Sequence, residues 1–396
     1  MPDNLIFSER TNWELSLNEL VVAYQQLKES NVPVLDLTAS NPTECGFSYP
    51  PQTLDCLSTK ENLNYDPSPR GLLRAREAIV QYYASKGISL LSQQIFLTSS
   101  TSEAYSYLFR LLANPGERIF FPQPSYPLFQ FLADMNDIEM GHYPLIYSAG
   151  AWKIDFNQLN EKITFDTKAL VLVNPNNPTG SFVKRHELTL LNDLCARKNI
   201  PLISDEVFGD FFFEENKDYA SLINNNEVLT FVLGGLSKTL GLPQMKLSWI
   251  VMSGPQGLVE KAQERLEVIA DTFLSVNTPA QNALNQWLPL REGIQKEIKA
   301  RLKQNLEFIQ KQAAFTSSCQ LLKSEGGWYV ILKIPKTRTE EEWALKFLNK
   351  YHVFVYPGYF FDFHEEAYIV ISLLPPHNVF QEGVERILSR IEQEVS

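Results

Sequence analysis

Residues 169–180 read ALVLVNPNNPTG, residues 200–210 read IPLISDEVFGD, and residues 229–242 read LTFVLGGLSKTLGL. Each opens on a short run of β-branched and aliphatic residues and closes on a polar, turn-rich segment, the pattern of a buried strand that delivers a loop. Outward from these, IFLT (95–98), RIFF (118–121) and SWIVM (248–252) read as further strands, with amphipathic segments between them. Strands alternating with helical patterns from about residue 95 to 252 predict an α/β fold with a mainly parallel sheet. TSSTSEAY, PQPSYP, NPNNPTG, DEVFGD and GGLSKTLGL lie just beyond five of the strands. Ligands in open α/β sheets bind outside the carboxyl ends of the strands, so these five segments describe one site.

The chain has 396 residues and 44% hydrophobic content, more than one compact core usually holds, so two domains are expected. Residues 291–312 carry Ile294, Ile298, Leu302, Leu306 and Ile309 at near-helical spacing and predict a connecting helix. Beyond it GWYVILKI, VFVY and YIVISLL read as strands, with helices near 340–350 and 378–395, so a smaller α+β unit closes the chain. The expected division is a large domain over 45–295 and a small one built from 1–44 and 296–396. Net charge is −11 with lysines and arginines dispersed, which argues against nucleic acid as a partner. Four cysteines without CxxC spacing and five scattered histidines suggest neither a disulfide framework nor a metal site. The N-terminal MPDNLIFSERTNWEL lacks the apolar core of a signal peptide, and the apolar runs elsewhere are strand-length, so a cytoplasmic protein with no membrane partner is expected.

Lys238 stands in Gly234-Gly235-Leu236-Ser237-Lys238-Thr239, after an apolar strand and before Gly241. A lysine on flexible backbone at a strand end can be enclosed, and enclosure lowers its pKa toward the neutral amine that attacks an aldehyde. The ordered series Asn174-Pro-Asn-Asn177-Pro-Thr-Gly180, Asp205-Glu206-Val207 and Ser237-Lys238 resembles the motifs of the class I/II aminotransferases that depend on pyridoxal 5′-phosphate (PLP). The similarity runs from Tyr65 in NYDPSPRGLLRAREAI through PQPSYP to the C-terminal unit. It implies the aspartate-aminotransferase fold (fold type I): a large PLP-binding domain with a mainly parallel, seven-stranded-type sheet between helices, plus a smaller α+β domain.

The resemblance also implies roles. Lys238 would hold PLP as a Schiff base and act as general base, and Asp205 would face the pyridine nitrogen and favour its protonated form. Asn177 would donate to the phenolic oxygen, and Tyr126 would stack on the ring, although a turn asparagine and a core aromatic explain the same residues. Ser100, Thr101 and Ser102 open a helix and offer hydroxyls and free N–H groups to a phosphate, as ordinary capping would also require. Ser237 and Lys246 match two further phosphate contacts, and Tyr65 matches a tyrosine that reaches the phosphate from a neighbouring subunit, so a homodimer with shared sites is implied. The implied reaction moves an amino group between an α-amino acid and a 2-oxo acid.

Several positions depart from the family pattern. Phe208 stands where a tyrosine normally gives the phenolic oxygen a second donor, Gly235 stands at a frequent phosphate-binding serine, and Lys246 replaces an arginine, keeping charge without the bidentate fork. Val370 occupies the place of the arginine that pairs with the substrate carboxylate. Arg70, Arg265 and the loop residue Asn41 are the candidate replacements, and each also fits a surface, structural or turn role. The aromatic run Tyr356 to Phe361 fits a pocket wall or core packing. Since the carboxylate anchor helps to choose the bond that breaks, a PLP-dependent lyase or decarboxylase remains the alternative, with a PLP-binding regulator without turnover a third.

Overall fold

The structure, a computed structural model, describes residues 6–365 and 367–395. Strand β1 (Leu35–Asp36) follows a helix Glu19–Glu29 whose first turn is capped by Asn18 Oδ1 accepting from Leu20 N at 2.8 Å. The central sheet contains β2 (Ile95–Thr98), β3 (Arg118–Gln123), β4 (Glu139–Ser148), β5 (Ala151–Ile154), β6 (Thr167–Val173), β7 (Leu202–Asp205), β8 (Thr230–Gly235) and β9 (Ser248–Ser253), in spatial order 2-9-8-7-6-3-4-5. Strands β4, β3, β6, β7 and β8 run parallel, while β9 is antiparallel to both β8 and β2. The expected seven strands are therefore joined by an eighth, β5, which closes an antiparallel hairpin on β4.

Both faces of the sheet are covered. On β6, Leu170 and Leu172 face one apolar core and Ala169, Val171 and Val173 face another, so the run ALVLV is apolar throughout. A third core surrounds the C-terminal strands β10 (Gln320–Leu321), β11 (Tyr329–Lys333), β12 (Val353–Phe354), β13 (Tyr356–Pro357) and β14 (Tyr368–Ser372). Strands β10, β11, β14 and β13 make an antiparallel sheet, and β12 pairs in parallel with β1, which ties the N-terminal segment to this layer.

One helix, Thr278–Ala314, links the cores. Its Ala283, Leu284 and Trp287 pack beneath the central sheet, whereas Ile294, Ile298, Leu302 and Ile309 enter the C-terminal core. It begins earlier than the sequence pattern suggests because the helix continues through Pro289. Proline removes one backbone donor and disfavours the preceding turn, yet burial on both sides of it holds the helix together. Among the described residues no helix is long and apolar enough to cross a membrane.

Candidate active site

The parallel strands β2, β3, β6, β7 and β8 end at a common edge in Thr98, Gln123, Val173, Asp205 and Gly235. Since β9 runs the other way, its first residue, Ser248, pairs with both Gly235 and Thr98 at this edge. Lys246, two residues before it, is thereby brought to the same edge as Ser100 and Lys238.

Asp205 is the last residue of β7 and is buried. Its Oδ1 accepts from Val207 N at 3.1 Å and its Oδ2 from the Tyr105 hydroxyl at 3.1 Å. Burial pushes its pKa up to about 6, while the two donors and the nearby Lys238 oppose that shift. Lys238 lies in the short helix Leu236–Thr239 after β8, and burial of its amine lowers its pKa to about 8 against the opposing pull of Asp205. Its side chain keeps partial exposure, and Nζ lies 4.7 Å from the Trp328 ring centroid and 5.2 Å from that of Phe208. Phe208 packs edge-on against Trp328 at 5.2 Å and can donate no hydrogen bond.

Within NPNNPTG the three asparagines divide the work. Asn174 accepts from Val183 N at 2.9 Å and donates to Ala220 O at 2.7 Å, and Asn176 accepts from Thr179 N at 3.1 Å. Asn177 takes no part in this turn network, and its Oδ1 is buried without a hydrogen-bond partner. A buried, unsatisfied amide is costly, so the site is shaped for a polar atom of a ligand there.

The helix Thr101–Leu112 is capped by Ser100, whose Oγ accepts from Glu103 N at 3.1 Å. That bond commits the Ser100 hydroxyl to capping and leaves the half-buried Thr101 and Ser102, with their first-turn N–H groups, toward the edge. Ser237 is also half-buried, and Lys246 is exposed in a left-handed backbone conformation. Gly235 has a packing reason to be glycine, since a Cβ there would meet Ser248 Oγ at 2.4 Å. Tyr126 is 39% exposed and faces Asp205 closely enough to raise its own pKa, after the larger effect of burial. Tyr65 is 73% exposed on its loop.

The candidate carboxylate ligands are not brought together. Arg70 donates to Glu267 Oε2 through Nε at 3.0 Å and Nη2 at 2.8 Å, and through Nη1 to Gln93 O at 3.0 Å. Within the chain its guanidinium clamps a loop to the helix Gln256–Phe273. Arg265 lies on that helix and donates to Lys261 O. Asn41 Oδ1 accepts from Thr43 N at 3.2 Å and Thr43 Oγ1 at 2.8 Å, the turn role.

Val370 is buried with Trp152, Leu322, Ile331 and Phe361, and it pairs across the sheet with Ile331 and Tyr356. Near this face Tyr329 engages the Ser40 side chain and Tyr356 that of Thr38, and burial raises the pKa of both phenols. Tyr329 also faces Tyr126 and Tyr356. Thr38, Ser40, Tyr329 and Trp328 lie outside the site segments read from the sequence, whereas Tyr105 closes the segment TSSTSEAY, whose reading gave it no role. Only Tyr356 was signalled, by its aromatic run.

The family described as aminotransferase class I and II matches residues 33–387. Glutamate-pyruvate aminotransferase AlaA of Haemophilus influenzae is 26% identical over 373 residues, covering 91% of this chain and 91% of that protein. Tyrosine aminotransferase of Mus musculus is 27% identical over 377 residues, covering 92% of this chain and 82% of that protein. Among solved structures, an alanine aminotransferase from Pyrococcus furiosus superposes with a TM-score of 0.89 at 26% identity, covering 98% of this chain and 100% of that one.

Proposed function

The chain belongs to the class I and II aminotransferases, PLP-dependent enzymes that exchange an amino group between an α-amino acid and a 2-oxo acid, and we propose that its reaction centre is Lys238, Asp205 and Asn177. The observation that carries this assignment is the shared strand edge: the buried carboxylate of Asp205 ends β7, and the partly buried Lys238 follows the neighbouring parallel strand β8. The donor set fits PLP. The Asn177 Oδ1 lacks a protein partner, so the amide is free to turn its NH2 donor into the site, a carboxylate stands at the end of β7, and a helix N-terminus with hydroxyls and a lysine suits a phosphate. When bound, the cofactor supplies an aldehyde carbon for amines and a protonated ring that draws electrons from substrate.

In this reading Lys238 Nζ would hold the cofactor through its aldehyde carbon and would serve as general base for the proton on the substrate Cα. Its lowered pKa supports that role, because a useful share of the side chain is neutral near pH 8. Asp205 would hold negative charge for the ring nitrogen, and Tyr126 would cover the ring. Ser100, Thr101, Ser102, Ser237 and Lys246 hold the phosphate, with Ser100 acting through its place at the helix start. Tyr65 completes the site of a partner subunit in a homodimer, which its exposure supports. The division into domains 45–295 and 1–44 with 296–396, and a cytoplasmic location, belong to the same proposal.

The hydroxyls of Ser40, Tyr329 and Tyr356, with the backbone around Asn41, receive the substrate carboxylate where Val370 offers no charge. Neutral hydroxyl donors bind a carboxylate less tightly than a guanidinium fork, which favours donors held also through an uncharged side chain. The test is a panel of amino donors and 2-oxo acid acceptors with Lys238→Ala as control. Stoichiometric conversion of a 2-oxo acid to its amino acid, lost in Lys238→Ala, is expected. Retained turnover in that variant, or ammonia or carbon dioxide released without an acceptor, overturns the reading.

A further inference from the structure

Tyr105 lies on the helix Thr101–Leu112 and is buried, and its hydroxyl reaches across a hundred residues of chain to Asp205 Oδ2 at 3.1 Å. Val207 N donates to the other oxygen, Oδ1, at 3.1 Å. The two donors come from different elements and take one oxygen each, so together they fix the carboxylate plane. The ring of Tyr105 is itself held, edge-on to Phe129 at 5.2 Å and tilted against Phe109 at 5.7 Å. Phenylalanine would pack at the same place with no buried hydroxyl to satisfy, so the hydroxyl's purpose is the bond it makes.

We propose that Tyr105 is a positioning residue for the reaction: its hydroxyl holds the Asp205 carboxylate ionised and in one orientation, leaving its remaining lone pairs for the cofactor ring nitrogen. The proposal rests on the reading of Asp205 given above. It deepens that reading by naming what keeps an acid buried at the end of β7 charged before and after the cofactor meets it. The titratable groups facing Asp205 are Lys238, which favours its charge, Glu206, which opposes it, Tyr105 and Tyr126. Those facing Tyr105 besides Asp205 are Tyr143 and Tyr126. Glu206 is occupied by Ser204 Oγ, Ser221 Oγ and Leu222 N, so the donors that stabilise Asp205 are Val207 N and Tyr105.

The experiment compares the full chain with Tyr105→Phe, Asp205→Asn and the double variant. The PLP dissociation constant of each is followed from about pH 5 to pH 9. A hydrogen bond to a buried charge removed from one partner corresponds to a shift of about one to two pH units. The acid limb of PLP affinity is therefore expected to move up by that amount in Tyr105→Phe, with little change at the alkaline end. In the Asp205→Asn background the same substitution should move nothing. Superimposable profiles for wild type and Tyr105→Phe overturn the proposal, as does an equal shift with Asp205 already replaced. The infrared carboxyl band of Asp205 without added PLP reads the same shift independently. A chain that binds no PLP refutes the cofactor reading, whereas an unmoved carboxyl band refutes the Tyr105 bond.

Discussion

Lys238 Nζ lies over the ring of Trp328, 4.7 Å from its centroid, and Trp328 is itself fixed edge-on to Phe208 and Phe211, each at 5.2 Å. An aromatic face attracts the ammonium form, so Trp328 opposes the burial that otherwise drives the amine neutral. Trp328→Leu should lower the Lys238 pKa further below about 8, by about half a unit to one unit. Trp328→Phe, which keeps a ring, should restore most of it. The pH dependence of Lys238 acylation in the cofactor-free chain, read by mass spectrometry, checks this, and identical profiles for the leucine variant and wild type would refute it.

Asp205 makes the opposite kind of contribution to folding. Its pKa rises from 3.8 in the unfolded chain to about 6 in the fold, so between those values the folded state binds more protons. The penalty for burying its charge is absent below about pH 4, grows through this window, and is complete above about pH 6. Asp205→Asn should therefore stabilise the cofactor-free chain at neutral pH by about 1–3 kcal/mol and remove the fall in stability across the window. PLP binding should weaken at the same time, since the carboxylate is held for function rather than stability. Urea unfolding at a series of pH values measures the first effect, and equal stability of variant and wild type at every pH would contradict it.

The strands that carry the site were legible because both sheet faces are buried, which makes runs such as ALVLV apolar without interruption. The β4–β5 hairpin was not, because β4 includes Gly141 and Pro144 and alternates toward solvent at its far end. Pro289 masked the continuity of the connecting helix in the same way. Lys238, Asp205 and Asn177 stand out in order and spacing because Asp205 ends its strand and the other two follow theirs within a few residues. The Tyr105 contact does not, since it joins β7 to a helix a hundred residues earlier. Arg70 was ambiguous for the converse reason: nothing near it in sequence announces Glu267.

On the proposed placement of the cofactor, Phe208 would face its phenolic oxygen. Adding a donor favours the deprotonated oxygen, so Phe208→Tyr should shift the pH-dependent colour change of the PLP-loaded protein downward, by about one unit. Absorbance titration without substrate checks this. An unchanged midpoint would mean that the new hydroxyl does not reach that oxygen.

At Gly235 the Ser248 side chain leaves no room, because an added Cβ would sit 2.4 Å from Ser248 Oγ and 3.1 Å from Ser248 Cβ on the neighbouring strand. Gly235→Ser, which adds the hydroxyl found at this place in relatives of the family pattern, should cost about 1–3 kcal/mol of stability and move Lys238 with the strand end. Ser248→Gly in the same chain should recover most of that loss. Denaturant unfolding of the single and double variants decides it, and a stable single variant with normal PLP binding would show that the strands part more easily than their close packing implies.

Arg70 separates a structural guanidinium from a substrate ligand. Its bonds to Glu267 and Gln93 hold the loop against the helix Gln256–Phe273, and the salt bridge is partly exposed, so Arg70→Ala should cost about 1 kcal/mol. The KM for the amino donor should stay within about twofold of wild type, since loss of a charged carboxylate contact would cost about 1.5–3 kcal/mol, or more than tenfold. Tyr356→Phe, which removes one hydroxyl and its contact with Thr38, should raise that KM several-fold on the proposed carboxylate site and cost about 1 kcal/mol of stability. Measuring KM and unfolding midpoints for both variants places the carboxylate: a large KM effect in Arg70→Ala with none in Tyr356→Phe would return the role to the arginine.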